Sequence, residues 1–269
     1  RSSYHYRAEI GNLNLASLGL PTNFIIDWNE GAFMNGSYSY TGTGFFISEN
    51  GQILTNLHVV KPWLDKAEEQ KAVEMFYRKY LVSLSQQRKF KMLQAYIDLV
   101  KVSGVLDALY IVPNGEYFDE TNSVKCRVLS AGEDLNIDIA LAQTITKRLP
   151  TSDCTFVNVT DSLDASDAAL EIGRHIYTMG FPFGMSLQEA ENENGIQLLA
   201  RGGSITQDFS AYQFGFDAAS FGGASGSPIF NEYGMLIGIL NAGVTKSQGF
   251  NYGIKAKYIK ELLGNPHSK

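Results

Sequence analysis

Short apolar runs, separated by glycine and other turn residues, restrict the fold of this chain more than any other feature. Most of the 26 glycines lie between such runs. Examples are GTGFFIS, GQILTNLHVV, VKCRVLS, IDIALAQ, HIYTMGF and GMLIGILNAG. Short strands rich in Val, Ile, Tyr and Phe and bounded by turn signals predict an all-β barrel or sandwich. Asn50-Gly51 and Asn114-Gly115 predict hairpin turns, because Asn-Gly accepts the positive φ that these turns require.

Two segments depart from this pattern and predict helices. Between Pro62 and about Val102 the chain has no glycine, and its apolar residues recur with a period near 3.6. We therefore predict a helical insertion over residues 61–105. The closing stretch AKYIKELLG carries its apolar residues on one face and ends in glycine, which predicts a C-terminal helix.

Composition and charge exclude several classes of partner. The chain has 22 basic and 28 acidic residues and a net charge of -6, so we expect no nucleic acid and no anionic membrane as a partner. No apolar run approaches the roughly 20 residues that span a bilayer, so no membrane insertion is expected. Because the sequence begins at Arg1, we expect that an N-terminal segment, such as a signal peptide, has been removed. Cys126 and Cys154 lack metal-type spacing, and both a disulfide between them and two free thiols stay open.

Small residues surround Ser225 in the stretch FGGASGSPIF, residues 221–230. Nucleophilic serine catalysis needs a hydroxyl, a base, a carboxylate that holds the base, and N–H groups aimed at the developing oxyanion. Ser225 offers the hydroxyl. Gly223 and Gly226 allow a tight backbone in which the N–H groups of Gly223 and Ser225 point to one spot. The alternative interpretation is a flexible loop without chemistry.

A base and a carboxylate are also present in the sequence. Of the four histidines, His5 and His267 lie near the chain ends and His175 lies in an apparent strand, where a structural or surface role is expected. His58 follows the apolar run GQILTNL and is the candidate base. Asp138 stands between apolar residues in NIDIALAQ, and a buried carboxylate is costly unless it is paired. The His58 ring N–H would pair it, and a bond to nearby backbone at a strand edge is the alternative.

The stretch TGTGFFISENGQILTNLHVV resembles the segment around the catalytic histidine of HtrA-type (Deg) trypsin-like serine proteases. DIAL with Asp138, YTMGFPFG, GGSITQ, GASGSPIF with Ser225 and NYGIKAKYIKELL agree with that family in order and spacing. The resemblance runs from about Thr41 to Leu263, except for the predicted insertion. The order His, Asp, Ser is chymotrypsin-like, and GASGS does not fit the G-x-S-x-G elbow of α/β-hydrolases.

The resemblance implies an all-β fold of two six-stranded antiparallel β-barrels with a helical insertion and a C-terminal helix. Residues 1–40 would form an N-terminal extension. Residues 41–150 would form the N-terminal barrel with His58, Asp138 and the insertion, and residues 151–269 the C-terminal barrel with Ser225 and the final helix. The active site would lie in the crevice between the barrels.

The function implied is that of a serine endopeptidase acting on protein or peptide substrates through an acyl-enzyme. Ser225 would attack the carbonyl, His58 would act as base and then acid, and Asp138 would fix the His58 tautomer. The N–H groups of Gly223 and Ser225 would form the oxyanion hole. No metal or organic cofactor is expected. The alternative is a catalytically silent or gated protease-fold module that binds peptides or a specific partner.

The specificity pocket is predicted from the closing strands. Asn241, Ala242 and Gly243 would line one wall, and Ala219 and Asn251 would lie near the base. None of them carries a carboxylate to pair with Arg or Lys, so we expect a small or medium apolar residue before the scissile bond.

The sequence also departs from the family. Ala224 stands where digestive enzymes carry the aspartate that receives the new N-terminus, so control must come from loop ordering or a partner. The insertion is interpreted as a solvated helical hairpin or as a lid, oligomer contact or docking surface. The chain ends six residues after Leu263, so no PDZ domain is expected in it. A regulatory partner and a homo-oligomer both stay open, and the family resemblance favours an extracytoplasmic (periplasmic or secreted) location.

Overall fold

The computed structural model describes residues 1–10, 24–28, 38–65, 70, 100–119, 123–132, 134–183, 195–243 and 250–264. In chain order the strands of the first half are β1 Ser2–Ile10, β2 Phe24–Trp28, β3 Tyr38–Tyr40, β4 Phe45–Phe46, β5 Gln52–Thr55, β6 Val100–Ile111, β7 Val124–Ala131 and β8 Ala140–Thr144. Those of the second half are β9 His175–Gly180, β10 Leu199–Asp208, β11 Gln213–Phe216, β12 Pro228–Asn231, β13 Leu236–Gly243 and β14 Asn251–Lys255. The described α-helices are α1 Leu57–Val60 and α2 Lys257–Gly264, and 3-10 turns span Pro62–Leu64, Leu135–Ile137 and Asp167–Leu170.

The described residues divide into two compact units. The first comprises residues 1–2, 40–60 and 108–269, and the second comprises residues 3–39 and 61–107. In the second unit β1 and β2 pair antiparallel, with Tyr6 opposite Trp28. The predicted N-terminal extension therefore contains strands where no element was expected.

The C-terminal half of the first unit is a closed six-stranded barrel. Its strands follow the order β10-β11-β14-β13-β12-β9 around the barrel. β9 shows why the sequence forms it, because its side chains alternate between exposed and buried along the strand. The interior is filled by large apolar residues, among them Ile176, Ile205, Phe214, Phe216, Ile229 and Ile237. The predicted all-β class and C-terminal barrel are confirmed.

The N-terminal half of the first unit is a half-barrel and not the closed six-stranded barrel that was expected. Antiparallel pairing joins β4 to β5, β5 to β8, β8 to β7, and β7 to the end of β6. β4 is only two residues long, because the preceding residues bond elsewhere. The Thr43 N–H donates to the Ser225 carbonyl at 2.7 Å, and the Thr43 carbonyl accepts from the Thr55 hydroxyl at 2.7 Å.

The two halves of the first unit share one apolar core. Leu54 and Leu141 of the half-barrel belong to the same buried cluster as Leu236 and Ile239 of the closed barrel. The predicted C-terminal helix is confirmed as α2, whose Tyr258 and Ile259 enter this cluster. The common core gives the loops at the junction a rigid support on both sides.

The predicted helical insertion over residues 61–105 is corrected at its end. Residues 100–105 belong to strand β6. Val100 and Val102 are β-branched residues at alternate positions, which suits a strand better than a helix. At its start the segment forms the 3-10 turn Pro62–Leu64. Residues 66–69 and 71–99, where the helices were predicted, lie outside the described residues.

Other expectations concern turns, thiols and membranes. Gly51 and Gly115 both adopt positive φ, at 68° and 82°, and the turn at Asn50-Gly51 joins β4 to β5. Cys126 and Cys154 are free thiols. None of the described helices is long and apolar enough to cross a bilayer.

Candidate active site

Two paired strands bring His58 and Asp138 together. β5 and β8 are antiparallel neighbours with Thr55 opposite Ala140. α1, which carries His58, begins just after β5, and Asp138 lies just before β8. Residues that leave paired strands at the same edge of a sheet lie close in space. The pairing of β5 with β8 therefore places the two side chains side by side although 80 positions separate them in sequence.

The Asp138 carboxylate is held by two groups of His58. The Nδ1 atom of His58 lies 2.5 Å from Oδ2, and the backbone N–H of His58 donates to Oδ1 at 2.9 Å. The Asp138 side chain is only 3% exposed, so both carboxylate oxygens receive the partners that burial demands. The Asn56 side-chain amide also donates to the Asp138 carbonyl at 2.7 Å. The arrangement places the Nδ1 proton on the Asp138 side and leaves Nε2 for another partner.

The His58 ring is further oriented by an aromatic neighbour. Tyr40 meets it edge to face, with ring centroids 5.7 Å apart. His58 is 15% exposed at its side chain, so the ring is packed yet accessible. His175, by contrast, is exposed on β9 with its Nδ1 atom 3.5 Å from the Ser204 hydroxyl, which agrees with the predicted surface role.

The loop of residues 221–227 depends on two glycines with positive φ. Gly223 and Gly226 both have φ of 93°, a region that residues with a Cβ rarely adopt. A Cβ at Gly226 would lie 2.0 Å from the Thr43 carbonyl oxygen. The Gly226 N–H donates to the Leu240 carbonyl at 2.8 Å. The loop is thus fixed against both halves of the first unit and is not a flexible linker.

The N–H groups of Gly223 and Ser225 donate to no described residue. The carbonyls of the same two peptide units are occupied. The Gly222 carbonyl accepts from the Phe183 N–H at 2.6 Å, and the Ala224 carbonyl accepts from the Ser227 N–H at 3.0 Å and from its hydroxyl at 2.6 Å. Because C=O and N–H point in opposite directions across a trans peptide, these bonds fix the directions of the two N–H groups. Both donors are oriented and available to an acceptor.

The Ser225 hydroxyl donates to the Asn241 carbonyl at 2.6 Å. Among the described residues, no hydrogen bond joins it to His58. The structure thus brings His58 to Asp138 and leaves the Ser225 hydroxyl directed to β13. A change of the Ser225 side-chain rotamer is needed before the hydroxyl can meet Nε2.

The predicted pocket residues occupy different environments. Asn241 and Gly243 lie on β13, and Gly243 is opposite Asn251 of β14. The Asn251 side chain is buried, and its amide donates to the Ala218 carbonyl at 2.6 Å. Its amide therefore supports the backbone next to Ala219, which is exposed. The side chain of Ala242 lies outside the described residues.

Sequence reasoning missed Thr43, Phe181 and Phe183. Thr43 was part of the quoted motif TGTGFF but received no role, and its contacts to the 221–227 loop cross 180 positions of sequence. Phe183 adopts φ of 70°, and its ring stacks on Phe221 with centroids 4.8 Å apart. In the described part of the chain, no cluster of three or more His, Cys, Asp or Glu side chains is placed to hold a metal ion.

Three comparisons show which known proteins this chain is similar to. The family model described as "Trypsin-like peptidase domain" matches residues 42–239. A curated relative, "Probable periplasmic serine endoprotease DegP-like" from Halomonas elongata, is 28% identical over 209 residues, which cover 78% of this chain and 31% of the relative. The chain thus spans about a third of the length of that relative. A solved structure titled "HtrA-type protease AlgW with decapeptide" is similar with a TM-score of 0.49 and 18% identity, covering 97% of this chain and 62% of that one.

Proposed function

The chain belongs to the trypsin-like peptidase domain family, and from this membership we propose that it is a serine endopeptidase with His58, Asp138 and Ser225 as its catalytic triad. One observation carries the proposal. The buried Asp138 carboxylate binds both Nδ1 and the backbone N–H of His58, which is the arrangement that a general base of this chemistry requires.

The reaction begins when the Ser225 hydroxyl turns from the Asn241 carbonyl to His58 Nε2. Nε2 takes the hydroxyl proton as Oγ attacks the scissile carbonyl carbon, and the carbonyl oxygen becomes an oxyanion. The N–H groups of Gly223 and Ser225 stabilise that charge, a contribution of about 3 kcal/mol for each donor. His58 then gives its proton to the leaving amine, and the acyl-enzyme remains on Ser225.

Water completes the cycle by the same steps. His58 removes a proton from the water, whose oxygen attacks the acyl carbon, and the carboxylic acid product leaves as Ser225 regains its proton. Asp138 stays ionised and stabilises the imidazolium in both halves of the reaction. Every step uses groups of this chain and water alone.

The substrates are protein segments with a small or medium apolar residue before the scissile bond. The support is that Ala219, Asn241 and Asn251 are all uncharged and that the Asn251 amide is already bonded to the Ala218 carbonyl. Peptides that differ only at that residue test the preference. Cleavage after valine, alanine or leucine should exceed cleavage after arginine, and the reverse order would contradict it.

The location and the partners are inferred from the relatives. The DegP-like relative is named as a periplasmic serine endoprotease, and the matching family model describes a peptidase domain. We accordingly assign this chain to an extracytoplasmic compartment with protein or peptide substrates. Because residue 224 is alanine and not aspartate, the activity cannot be controlled by an ion pair between this position and a new N-terminus. A regulatory partner or a homo-oligomer would control it instead.

A second candidate function is a gated or silent protease-fold module that binds peptides. The observation that favours it is the hydrogen bond from the Ser225 hydroxyl to the Asn241 carbonyl, which keeps the hydroxyl from His58. Such a module would bind peptides without forming an acyl-enzyme until a partner changes the loop.

The experiment that decides between the two uses unfolded casein and a fluorophosphonate probe, with Ser225→Ala as the control. Fragment release together with an adduct on Ser225, both absent in Ser225→Ala, would support the endopeptidase. An adduct without casein cleavage would indicate a competent triad with restricted access. Absence of both signals in a variant pair that unfolds at the same temperature would reject the endopeptidase in favour of the binding module.

A further inference from the structure

Thr43 lies in the loop between β3 and β4, and its N–H, its carbonyl and its hydroxyl all form hydrogen bonds. Its side chain is buried, with only 3% of the residue exposed. Its N–H donates to the Ser225 carbonyl at 2.7 Å. Its hydroxyl donates to the Gly223 carbonyl at 2.9 Å and accepts from the Phe181 N–H at 3.0 Å. One residue of the half-barrel therefore holds two carbonyls of the loop that carries the nucleophile.

The two carbonyls stand on either side of the reactive atoms. The backbone between the Gly223 and Ser225 carbonyls contains the Ser225 N–H and the Cα that bears the Ser225 hydroxyl. Fixing both ends of this segment restricts its φ and ψ angles, because each peptide unit is planar. Together with the Ser227 bonds to the Ala224 carbonyl, the Thr43 bonds restrain the position of the Ser225 hydroxyl and the direction of the Ser225 N–H.

The Thr43 hydroxyl also connects this loop to the end of β9. A hydroxyl has one hydrogen to donate, which goes to the Gly223 carbonyl, and its lone pairs accept the Phe181 N–H. Gly180, the last residue of β9, leaves no space for adjustment, since a Cβ there would lie 1.8 Å from Ser227 Oγ and 3.1 Å from Thr43 Oγ1. Phe183, which also follows β9, donates its backbone N–H to the Gly222 carbonyl. The loop is held from β9 and from the half-barrel at one junction.

We propose that Thr43 is a positioning residue for the oxyanion hole and the nucleophile, and that its hydroxyl is the group responsible. The proposal rests on the proposed endopeptidase function. It differs from a purely structural role, in which the hydroxyl only satisfies buried groups and its loss lowers stability alone.

The test compares Thr43→Val, Thr43→Ser and Thr144→Val. Thr144 is a matched control, because it is buried and its hydroxyl also donates to a carbonyl and accepts an N–H, both of Arg148 at 2.8 and 3.2 Å. Thr43→Val should lower kcat by about 10- to 100-fold with KM within about threefold, since the affected groups act mainly on the transition state. Thr43→Ser should keep kcat within about threefold of wild type. Thr144→Val should lower the melting temperature without changing kcat.

Amide hydrogen exchange gives a readout that does not need turnover. Exchange in the segment 221–227 should be faster in Thr43→Val than in wild type and unchanged in Thr144→Val. If wild type shows neither casein cleavage nor a Ser225 adduct, the endopeptidase proposal fails, while the exchange result still decides whether Thr43 holds the loop.

If Thr43→Val does not fold, Thr43→Cys, which fills similar space with a weaker donor, should show an intermediate loss of kcat. Wild-type kcat and exchange in Thr43→Val or Thr43→Cys, or no recovery in Thr43→Ser, would overturn the proposal.

Discussion

The hydroxyl of Ser225 and the carbonyl oxygen of Asn241 lie 2.6 Å apart and form a hydrogen bond. If Ser225 is the nucleophile, as proposed, this bond has to break before His58 can take the hydroxyl proton. The proposed base already has its partner, because His58 Nδ1 is hydrogen-bonded to the Asp138 carboxylate. In the proposed triad, His58 and Asp138 are therefore already joined, while the Ser225 hydroxyl is bonded elsewhere.

A covalent adduct on Ser225 should report the oxyanion hole directly. Reaction with a fluorophosphonate removes the hydroxyl proton that binds the Asn241 carbonyl and places a phosphonyl oxygen near the loop. The N–H groups of Gly223 and Ser225, which bond no residue in the described part of the chain, should then donate to that oxygen, and their amide exchange should slow. Hydrogen exchange followed by mass spectrometry of the 221–227 segment measures this. A full adduct without slower exchange would contradict the assignment of these two donors.

Asp138→Asn should lower kcat by about 10³- to 10⁴-fold, the size of effect seen when an amide replaces the carboxylate of a Ser-His-Asp triad. An asparagine NH2 group in place of Oδ2 favours the wrong His58 tautomer, since Nδ1 would then accept a hydrogen bond where it now donates one. KM should change little. Asp134→Asn is the control, because Asp134 is exposed and its side chain caps the turn by accepting from the backbone N–H and the side-chain amide of Asn136, both at 2.8 Å. Equal losses in both variants would exclude Asp138 as the orienting carboxylate.

Gly226→Ala should inactivate and destabilise the protein, whereas Gly222→Ala should be tolerated. Gly226 has φ of 93°, and a Cβ would lie 2.0 Å from the Thr43 carbonyl oxygen. Gly222 lies four positions earlier in the same loop, and no atom of the residues that the structure describes lies within 4 Å of an added Cβ there. Thermal unfolding and the rate of fluorophosphonate labelling measure the two effects. A similar small effect in both variants would show that the loop rearranges easily and would weaken its assigned role.

The Phe183–Phe221 stack should support the direction of the Gly223 N–H. Phe183 has φ of 70°, a strained backbone conformation for a residue with a Cβ. In this conformation its N–H donates to the Gly222 carbonyl, and the stacking of its ring on Phe221 stabilises the conformation. Phe183→Ala and Phe221→Ala should each lower kcat by about tenfold, and the double variant should be no worse than either. Phe209→Ala is the control, because Phe209 also packs on an aromatic ring, that of Tyr252 with centroids 4.4 Å apart, but precedes β11 in the chain, whereas the 221–227 loop follows β11. Additive losses in the double variant would mean that the two rings act separately.

The sequence predicts some parts of this molecule well for physical reasons. Alternating apolar residues and glycine turns are local signals, so the all-β class and helix α2 could be predicted. His58 and Asp138 could be paired in advance, because a buried carboxylate needs a partner. The rotamer of Ser225 and the role of Thr43 could not be predicted, since they depend on hydrogen bonds between segments distant in the chain. The half-barrel was not predicted, because an alternating apolar pattern indicates a strand but not its partner. It does not show whether the residues before β4 pair with a neighbouring strand or form hydrogen bonds with the 221–227 loop.

Cys126 should make the stability of the protein depend on alkaline pH. Burial raises the pKa of its thiol from 9.0 to about 11, so between these values the unfolded chain loses the proton and the folded chain keeps it. The free energy of unfolding should therefore fall as the pH rises from about 9 to 11, by at most roughly 2 to 3 kcal/mol. Cys126→Ala should lose this contribution, while Cys154→Ala, at a half-exposed position, should keep the wild-type slope. Denaturant unfolding at pH 8, 9 and 10 gives the free energy of unfolding of each variant and of wild type. If this free energy has the same slope against pH in wild type and in Cys126→Ala, the Cys126 thiol is not buried in solution.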